Sequence, residues 1–443
     1  MKIIRFIICG VMLLAVKSVA APGLADMPKL DNNADYGVII KNLMTGKIVT
    51  AINADSLFMP ASLTKSITSA SLLSQLFTDK RFVTDIMLKG VSKDTTFVGD
   101  IIIKACGDPT IESKHFEKYN LCDSISAELA KRNIRSVHGQ ILFAYSPRID
   151  QEVPAGWKNN DLVSTYGTAF HAFNYRDNIM AINLETGETN TPADSIKIIR
   201  IDGCGISKPR DAKVLKIGRN AKGTTAMPMI DPTDNFRSML IRSMRVNGIS
   251  YHPEARKTAG EAKLMYRHVS PSYRQINKSM MTRSDNLMAE GMLQTLAPGR
   301  GREAAIEREL ALWESRGLNI DGIVIEDGCG LSRNNRVTPR FLSDIYEWMA
   351  CSDDAEEYVS YFPKAGIEGT MKRMLKGTHL EGRIATKTGS VNSVQCYGGF
   401  LLDADGNPTH TIVIMANNFR SERSEIKKTI SKFLIDIFPE NEE

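Results

Sequence analysis

Three short stretches of this sequence hold hydroxyls, amines and amides at spacings that suit acyl transfer. The first is Ser62-Leu63-Thr64-Lys65. A serine hydroxyl is a poor nucleophile until a base takes its proton. A lysine three residues further on shares the same helical face and can be that base. A helix start adds the positive end of the dipole, which favours developing negative charge. The lysine must first lose its own proton, and burial or a nearby cation lowers its pKa toward that. Taken alone the pair is weak. Ser424-Glu425-Ile426-Lys427 repeats the spacing on the surface pattern of a closing helix, and a helix cap beside a solvated lysine explains Ser62 and Lys65 equally well.

Ser284-Asp285-Asn286 stands in MTRSDNLMAE, where a helical stretch begins. All three residue types are good N-caps, which is the plain reading. The chemical reading gives a second hydroxyl, Ser284, for proton relay and an amide, Asn286, for substrate binding. Ser390-Val391-Asn392 fits the same loose pattern. Lys387-Thr388-Gly389 occurs once, in ATKTGSV. As a turn it is unremarkable; as a strand lining a cleft it has a use for each residue. Lys387 would supply positive potential, Thr388 would hold a carboxylate, and Gly389 would leave the approach open. The Ser390 N–H would join that of Ser62 as an oxyanion hole. In this order and setting the three stretches point to a serine acyl-transfer enzyme with Ser62 as nucleophile and Lys65 as base.

Positioning these groups needs a rigid frame. Tyr36 to Leu43 and Lys47 to Ala54 read as a hairpin, and Ser62 to Phe77 as a helix after Pro60. Ser393 to Leu402 and Thr409 to Ala416 read as a second hairpin, followed by a helix with Ile426, Ile430, Phe433, Leu434 and Ile437 on one face. A hairpin and a helix at each end predict one antiparallel sheet covered by helices, an α/β (α+β) arrangement. The middle differs. Phe97 to Lys104, Val137 to Tyr145 and Asp194 to Ile201 are β-like runs set among turn residues, and Tyr266 to Leu296 returns to helical patterning. The expected organisation is a catalytic part of residues 22–88 with 264–443, interrupted by a β-rich insert of residues 89–263.

The chain has 443 residues, 42% hydrophobic and 24% charged, enough for a large core in more than one domain. A net charge of +5 with no basic block gives no reason to expect nucleic acid as a partner. Lys2 and Arg5, the apolar run Phe6 to Val16 and the small residues Ser18 to Ala21 read as a secretory signal over residues 1–21; the run is too short to span a bilayer. Removing it takes Cys9 and leaves Cys106, Cys122, Cys204, Cys329, Cys351 and Cys396 without a CxxC. An oxidising compartment permits disulfides, with Cys106 and Cys122 nearest in sequence, and buried free thiols fit as well. The histidines show neither HxxxH nor HxxE, there is no GxSxG elbow, and Gly218 to Gly223 is no P-loop. No metal or other cofactor is expected. Trp157, Tyr166 and Phe173 are core residues or cleft-rim residues.

The Ser-Lys, Ser-Asp-Asn and Lys-Thr-Gly set resembles that of penicillin-binding proteins and serine β-lactamases. Ser62 and Ser284 are separated by about 220 residues. That gap resembles the D-alanyl-D-alanine carboxypeptidase/endopeptidase family of the penicillin-binding protein 4 (DacB) type, peptidase family S13. So do Gly107-Asp108-Pro109-Thr110, Tyr166-Gly167, Phe173-Asn174, His268-Val269-Ser270-Pro271, the segment from Asp327 to Arg333, and Gly366-Ile367-Glu368-Gly369-Thr370-Met371. The likeness runs from about Asp35 to Asn418. It implies a β-lactamase/transpeptidase-like fold with a five-stranded sheet. It also implies cleavage of the terminal D-Ala–D-Ala bond of peptidoglycan stem peptides, with cross-link cleavage as a further activity, and acylation of Ser62 by β-lactams. Lys65 would be the base and Ser284 the relay. Asn286 would bind the substrate amide, and Lys387 and Thr388 the terminal carboxylate. A serine β-lactamase and a penicillin-sensing protein without turnover are the alternatives, and the long insert argues against the first. Two departures stand out. Cys329 replaces the family's usual serine and puts a thiol near the cleft, open to oxidation. Ala144 and Tyr145 stand where the family often has an acid that meets the amine of the substrate side chain, with Asp150 as a substitute.

Overall fold

The computed structural model describes residues 34–75, 79–145, 153–190, 197–202, 214–255 and 260–440. The expected signal segment, Cys204 and Asp150 lie outside the described residues.

The chain opens with β1 (Asp35–Asn42) and β2 (Ile48–Ile52), an antiparallel hairpin. A 3-10 turn at Ala61–Leu63 then leads into α1 (Thr64–Ser74). Ser62 therefore sits in a tighter turn than the α-helix read from the sequence. In a 3-10 turn residues i and i+3 eclipse, so Ser62 and Lys65 still share a face.

The middle of the chain contributes β3 (Arg81–Lys93), β4 (Thr96–Ala105), α2 (Leu121–Lys131), β5 (Ser136–Gly139), β6 (Ile141–Tyr145), α3 (Asn159–Leu162), β7 (Ile179–Asn183), β8 (Lys197–Ile201), β9 (Val214–Gly218), β10 (Thr224–Pro228), α4 (Pro232–Val246), β11 (Ser250–Pro253) and β12 (Lys263–Ser272). Six of these strands form one sheet in the order β11-β5-β4-β3-β12, with β6 also paired to β4; β7–β10 and β8–β9 are small ribbons. The segment expected to be β-rich also holds two substantial helices. Leu121, Ile125 and Leu129 of α2, four residues apart, and Phe236, Leu240 and Met244 of α4 pack on Phe97, Ile101 and Ile103 of the sheet. The expected edges at 88/89 and 263/264 fall inside β3 and at the first residues of β12. These two strands pair antiparallel, so the chain leaves and returns side by side, and the Tyr273 N–H donates to the Lys80 carbonyl at 2.8 Å. His268 to Pro271, read from sequence within a helical stretch, belong to β12.

The remainder supplies α5 (Tyr273–Arg283), α6 (Asn286–Gln294), α7 (Gly301–Ser315), α8 (Pro339–Ala350), α9 (Ala355–Ser360), β13 (Ile384–Val391), β14 (Val394–Leu402), β15 (Pro408–Asn417) and α10 (Arg423–Ile437). Both ends of the chain meet in a five-stranded sheet, β13-β14-β15-β1-β2, antiparallel throughout. Alternation sorts its side chains. Ile39, Phe400, Val413 and Met415 pack with α1 and α8; Val38, Ile40, Tyr397, Ile412 and Ile414 pack under Ile426, Ile430, Phe433 and Leu434 of α10. With helices on both faces, β14 is buried at every position.

Cys106, Cys122, Cys329, Cys351 and Cys396 are free thiols. Cys106 and Cys122 pack against different hydrophobic clusters, which keeps them from pairing. Among the described residues no helix is long and apolar enough to cross a membrane.

Candidate active site

The segment bearing Ser62 is wedged between two glycines. A Cβ at Gly389 on β13 would lie 2.5 Å from the Pro60 carbonyl oxygen and 3.1 Å from the Ser62 nitrogen. Gly330, at φ +81°, faces the other side, where a Cβ would lie 1.8 Å from the Ala61 carbonyl oxygen. A side chain at Gly389 would push the turn away from β13, and one at Gly330 would displace it from the other side. Between α5 and α6, Ser284 takes a left-handed conformation, φ 61° and ψ 41°. Asp285 becomes the cap of α6, its carboxylate accepting from the Met288 N–H at 2.9 Å. One residue of the triplet thus does the capping, and Ser284 and Asn286 line the cleft.

The resulting cleft holds about 530 Å³ and is lined by Ser62, Ser284, Asn286, Thr388 and Ser390, with Tyr166, Thr370 and Arg423 around them. Lys65 lies behind Ser62 and is fully buried. Its Nζ donates to Ser62 Oγ at 2.9 Å, to Asn286 Oδ1 at 2.7 Å and to the Cys329 carbonyl at 2.6 Å. Burial pulls the Lys65 pKa below its usual value, while nearby Asp327, Asp285 and Glu290 push back. Lys387 is also fully buried and donates to Ser284 Oγ at 2.8 Å and to the Thr388 carbonyl at 2.7 Å. Burial, and after it the charge of Lys65, hold its pKa well below the usual range. Asn286 donates to the Tyr166 carbonyl at 2.7 Å, and Thr388 Oγ1 to Thr370 Oγ1 at 2.8 Å. All eight site residues read from sequence meet here. Ser62, Ser284, Asn286, Thr388 and Ser390 line the cleft. Lys65, Lys387 and Gly389 stand directly behind it.

Sequence reasoning missed the support beneath Lys65. Glu290, one turn after Asn286 on α6, accepts from the N–H groups of Gly328 and Cys329 at 2.9 and 3.0 Å. Arg302 reaches its other oxygen at 3.2 Å. Asp327 accepts from the Gly330 and Ser332 N–H groups at 2.8 and 2.6 Å, from Trp157 Nε1 at 2.7 Å and from Asn335 at 2.7 Å. These two carboxylates fix the peptide whose carbonyl receives Lys65. Glu290, Asp327 and Cys329 are close enough together to suggest a metal site. Their carboxylate oxygens are already taken by N–H donors, which suits a structural latch rather than an ion. The spacing of Glu290 from Asn286 was the available signal.

Two expectations change. The Cys329 thiol is fully buried and burial pushes its pKa well up, so it is not the reactive thiol expected at that position. Ala144 and Tyr145 end β6 and are not among the residues lining the cleft. Of the three aromatic residues weighed, Tyr166 is 53% exposed at the rim, whereas Trp157 and Phe173 are buried.

Residues 16–436 match the family described as D-Ala-D-Ala carboxypeptidase 3 (S13). The chain is 24% identical over 412 residues to the D-alanyl-D-alanine carboxypeptidase DacB of Haemophilus influenzae, covering 85% of this chain and 84% of that one. It is 23% identical over 420 residues to a D-alanyl-D-alanine carboxypeptidase of an Actinomadura species, covering 85% of this chain and 77% of the relative. The crystal structure of penicillin binding protein 4 (dacB) from Haemophilus influenzae superposes with a TM-score of 0.80 at 22% identity, over 93% of this chain and 98% of that one. The fold expected from the motif resemblance is therefore the one found. With a match across nearly its whole length, this chain belongs to the D-Ala-D-Ala carboxypeptidase 3 (S13) family.

Proposed function

We propose that the protein is a serine-type D-Ala–D-Ala carboxypeptidase acting on peptidoglycan stem peptides through an acyl-enzyme on Ser62. One observation carries this reading: a fully buried lysine amine with a lowered pKa stands 2.9 Å from the hydroxyl of a cleft serine. An amine in its neutral form there can take the Ser62 proton as Oγ attacks the penultimate D-Ala carbonyl. The N–H groups of Ser62 and Ser390 face the oxygen that gains negative charge. The C–N bond then breaks. Ser284, bonded to Lys387 at 2.8 Å, relays to the departing D-Ala amine the proton that Lys65 took from Ser62. Water then attacks the ester and gives a proton to Lys65, which returns it to Ser62 as the ester bond breaks. Asn286 holds the substrate amide, Thr388 and Lys387 take the terminal carboxylate, and Gly389 lets the peptide lie close to β13. A β-lactam would acylate the same oxygen through its strained amide.

Catalysis resides in the part built on the five-stranded sheet, with the segment between β3 and β12 as an inserted module. The N-terminal segment is read as a signal that directs the protein to the periplasm or outside the cell. Release of free D-Ala from a stem pentapeptide tests the proposal. Wild-type protein should release it, Ser62→Ala should not, and mass spectrometry should map penicillin to the Ser62 peptide. Penicillin labelling with no D-Ala release by wild type would overturn the carboxypeptidase reading.

A further inference from the structure

A second groove of about 660 Å³ adjoins the cleft, and Thr370, Thr388 and Ser390 line both. Its far wall is α10 with the loop before β13. Arg373, Lys427, Lys428 and Lys432 face it. Lys432 is engaged with Asp436, whereas Arg373, Lys427 and Lys428 make no ion pair among the described residues. The basic row continues into the cleft, because Arg423, which lines it, lies one turn before Lys427. Arg423–Lys427 and Lys428–Lys432 are like-charged pairs at i, i+4, a spacing that weakens a helix by itself. A helix that only had to cover the sheet with Ile426, Ile430, Phe433 and Leu434 would gain nothing from this.

We infer that this groove is a subsite for a carboxylate-bearing peptide on the leaving-group side of the scissile bond. The inference rests on the function proposed above, which puts the carboxylate of the departing residue at Thr388. A single departing D-Ala ends there and does not reach α10. A leaving group that continues as a peptide with further free carboxylates, as in a cross-linked pair of stem peptides, passes Thr370 and Ser390 and meets Arg373, Lys427 and Lys428. Their long, exposed side chains suit mobile carboxylates and draw them in over a distance set by salt.

The test uses the full chain and three substrates with one acyl part. The first loses a single D-Ala, the second an acidic peptide, and the third the same peptide with its extra carboxylates amidated. Wild type should cleave the acidic form about tenfold better in kcat/KM than the amidated one at low ionic strength, as three weak ion pairs would give. Added salt should erase the difference. The Arg373→Gln/Lys427→Gln/Lys428→Gln variant should lose the preference through KM while releasing D-Ala and labelling with fluorescent penicillin as wild type does. Equal cleavage of acidic and amidated peptides by wild type, or a preference that survives in the variant, would overturn the subsite and leave the carboxypeptidase intact. Absence of D-Ala release by wild type would instead remove the reading beneath it.

Discussion

Lys65 and Lys387 are buried to the same degree in very different company. Around Lys65 stand Asp327, Asp285 and Glu290, and its amine has three acceptors from three separate segments. Around Lys387 the neighbouring acceptors are a hydroxyl and a carbonyl, and the charge that acts on it is another cation. Burial alone lowers both amines. The difference shows that one site carries its own counter-charge while the other awaits it. Burial shifts Lys387 toward the neutral amine, and a substrate carboxylate would shift it back toward the charged form.

The largest expected effect breaks the first neighbourhood. Lys65→Met should lower kcat/KM for D-Ala release by about 10³-fold, the scale of a lost general base, and slow penicillin acylation alongside. Lys387→Met should cost about 10²-fold, as removal of one preorganised electrostatic contact does. The two variants also separate by proton count. Binding of a carboxylate ligand should draw a proton onto Lys387, seen in calorimetry as a binding heat that depends on the buffer, and Lys387→Met should abolish it. A heat independent of buffer in the wild type would contradict the contrast. The acid limb of the pH–rate profile sharpens it further. Lys65 works as a neutral amine, so acylation should fall as pH drops through its lowered pKa. Glu290 raises that pKa, so Glu290→Gln should move the limb to lower pH, by up to about one unit, with only a small change in the plateau. A limb that moved upward would place the titration elsewhere.

Much of this was legible in the sequence because its signals are local. The two β-rich hairpins gave the sheet, and the apolar face of α10 gave its cover. Ser62, Lys65, Ser284, Asn286, Lys387 and Thr388 could be read because acyl transfer needs those groups and the motifs keep them in order. The hidden part depended on contacts between distant segments. No pattern in the sequence says that the Cys329 carbonyl receives Lys65, or that Glu290 holds that peptide in place. Ser62 in a 3-10 turn rather than an α-helix reflects the squeeze between Gly330 and Gly389, a tertiary constraint. The helices of the middle segment are masked in the sequence by the Gly, Asp and Asn residues that break it into short runs. Yet Asn120, which caps α2 by accepting from the Asp123 N–H at 3.1 Å, was a readable start signal.

The hydrogen bond between the Tyr273 amide and the Lys80 carbonyl reaches beyond local stability. It makes the stretch from β3 to β12 a detour whose two ends touch, so the length of chain in between can vary without separating the elements on either side. Its content is less free, because Trp157 and Tyr166 within it bond to Asp327 and Asn286 of the site. A module put in its place would have to supply both partners again, which ties any change in the detour to the chemistry of the cleft.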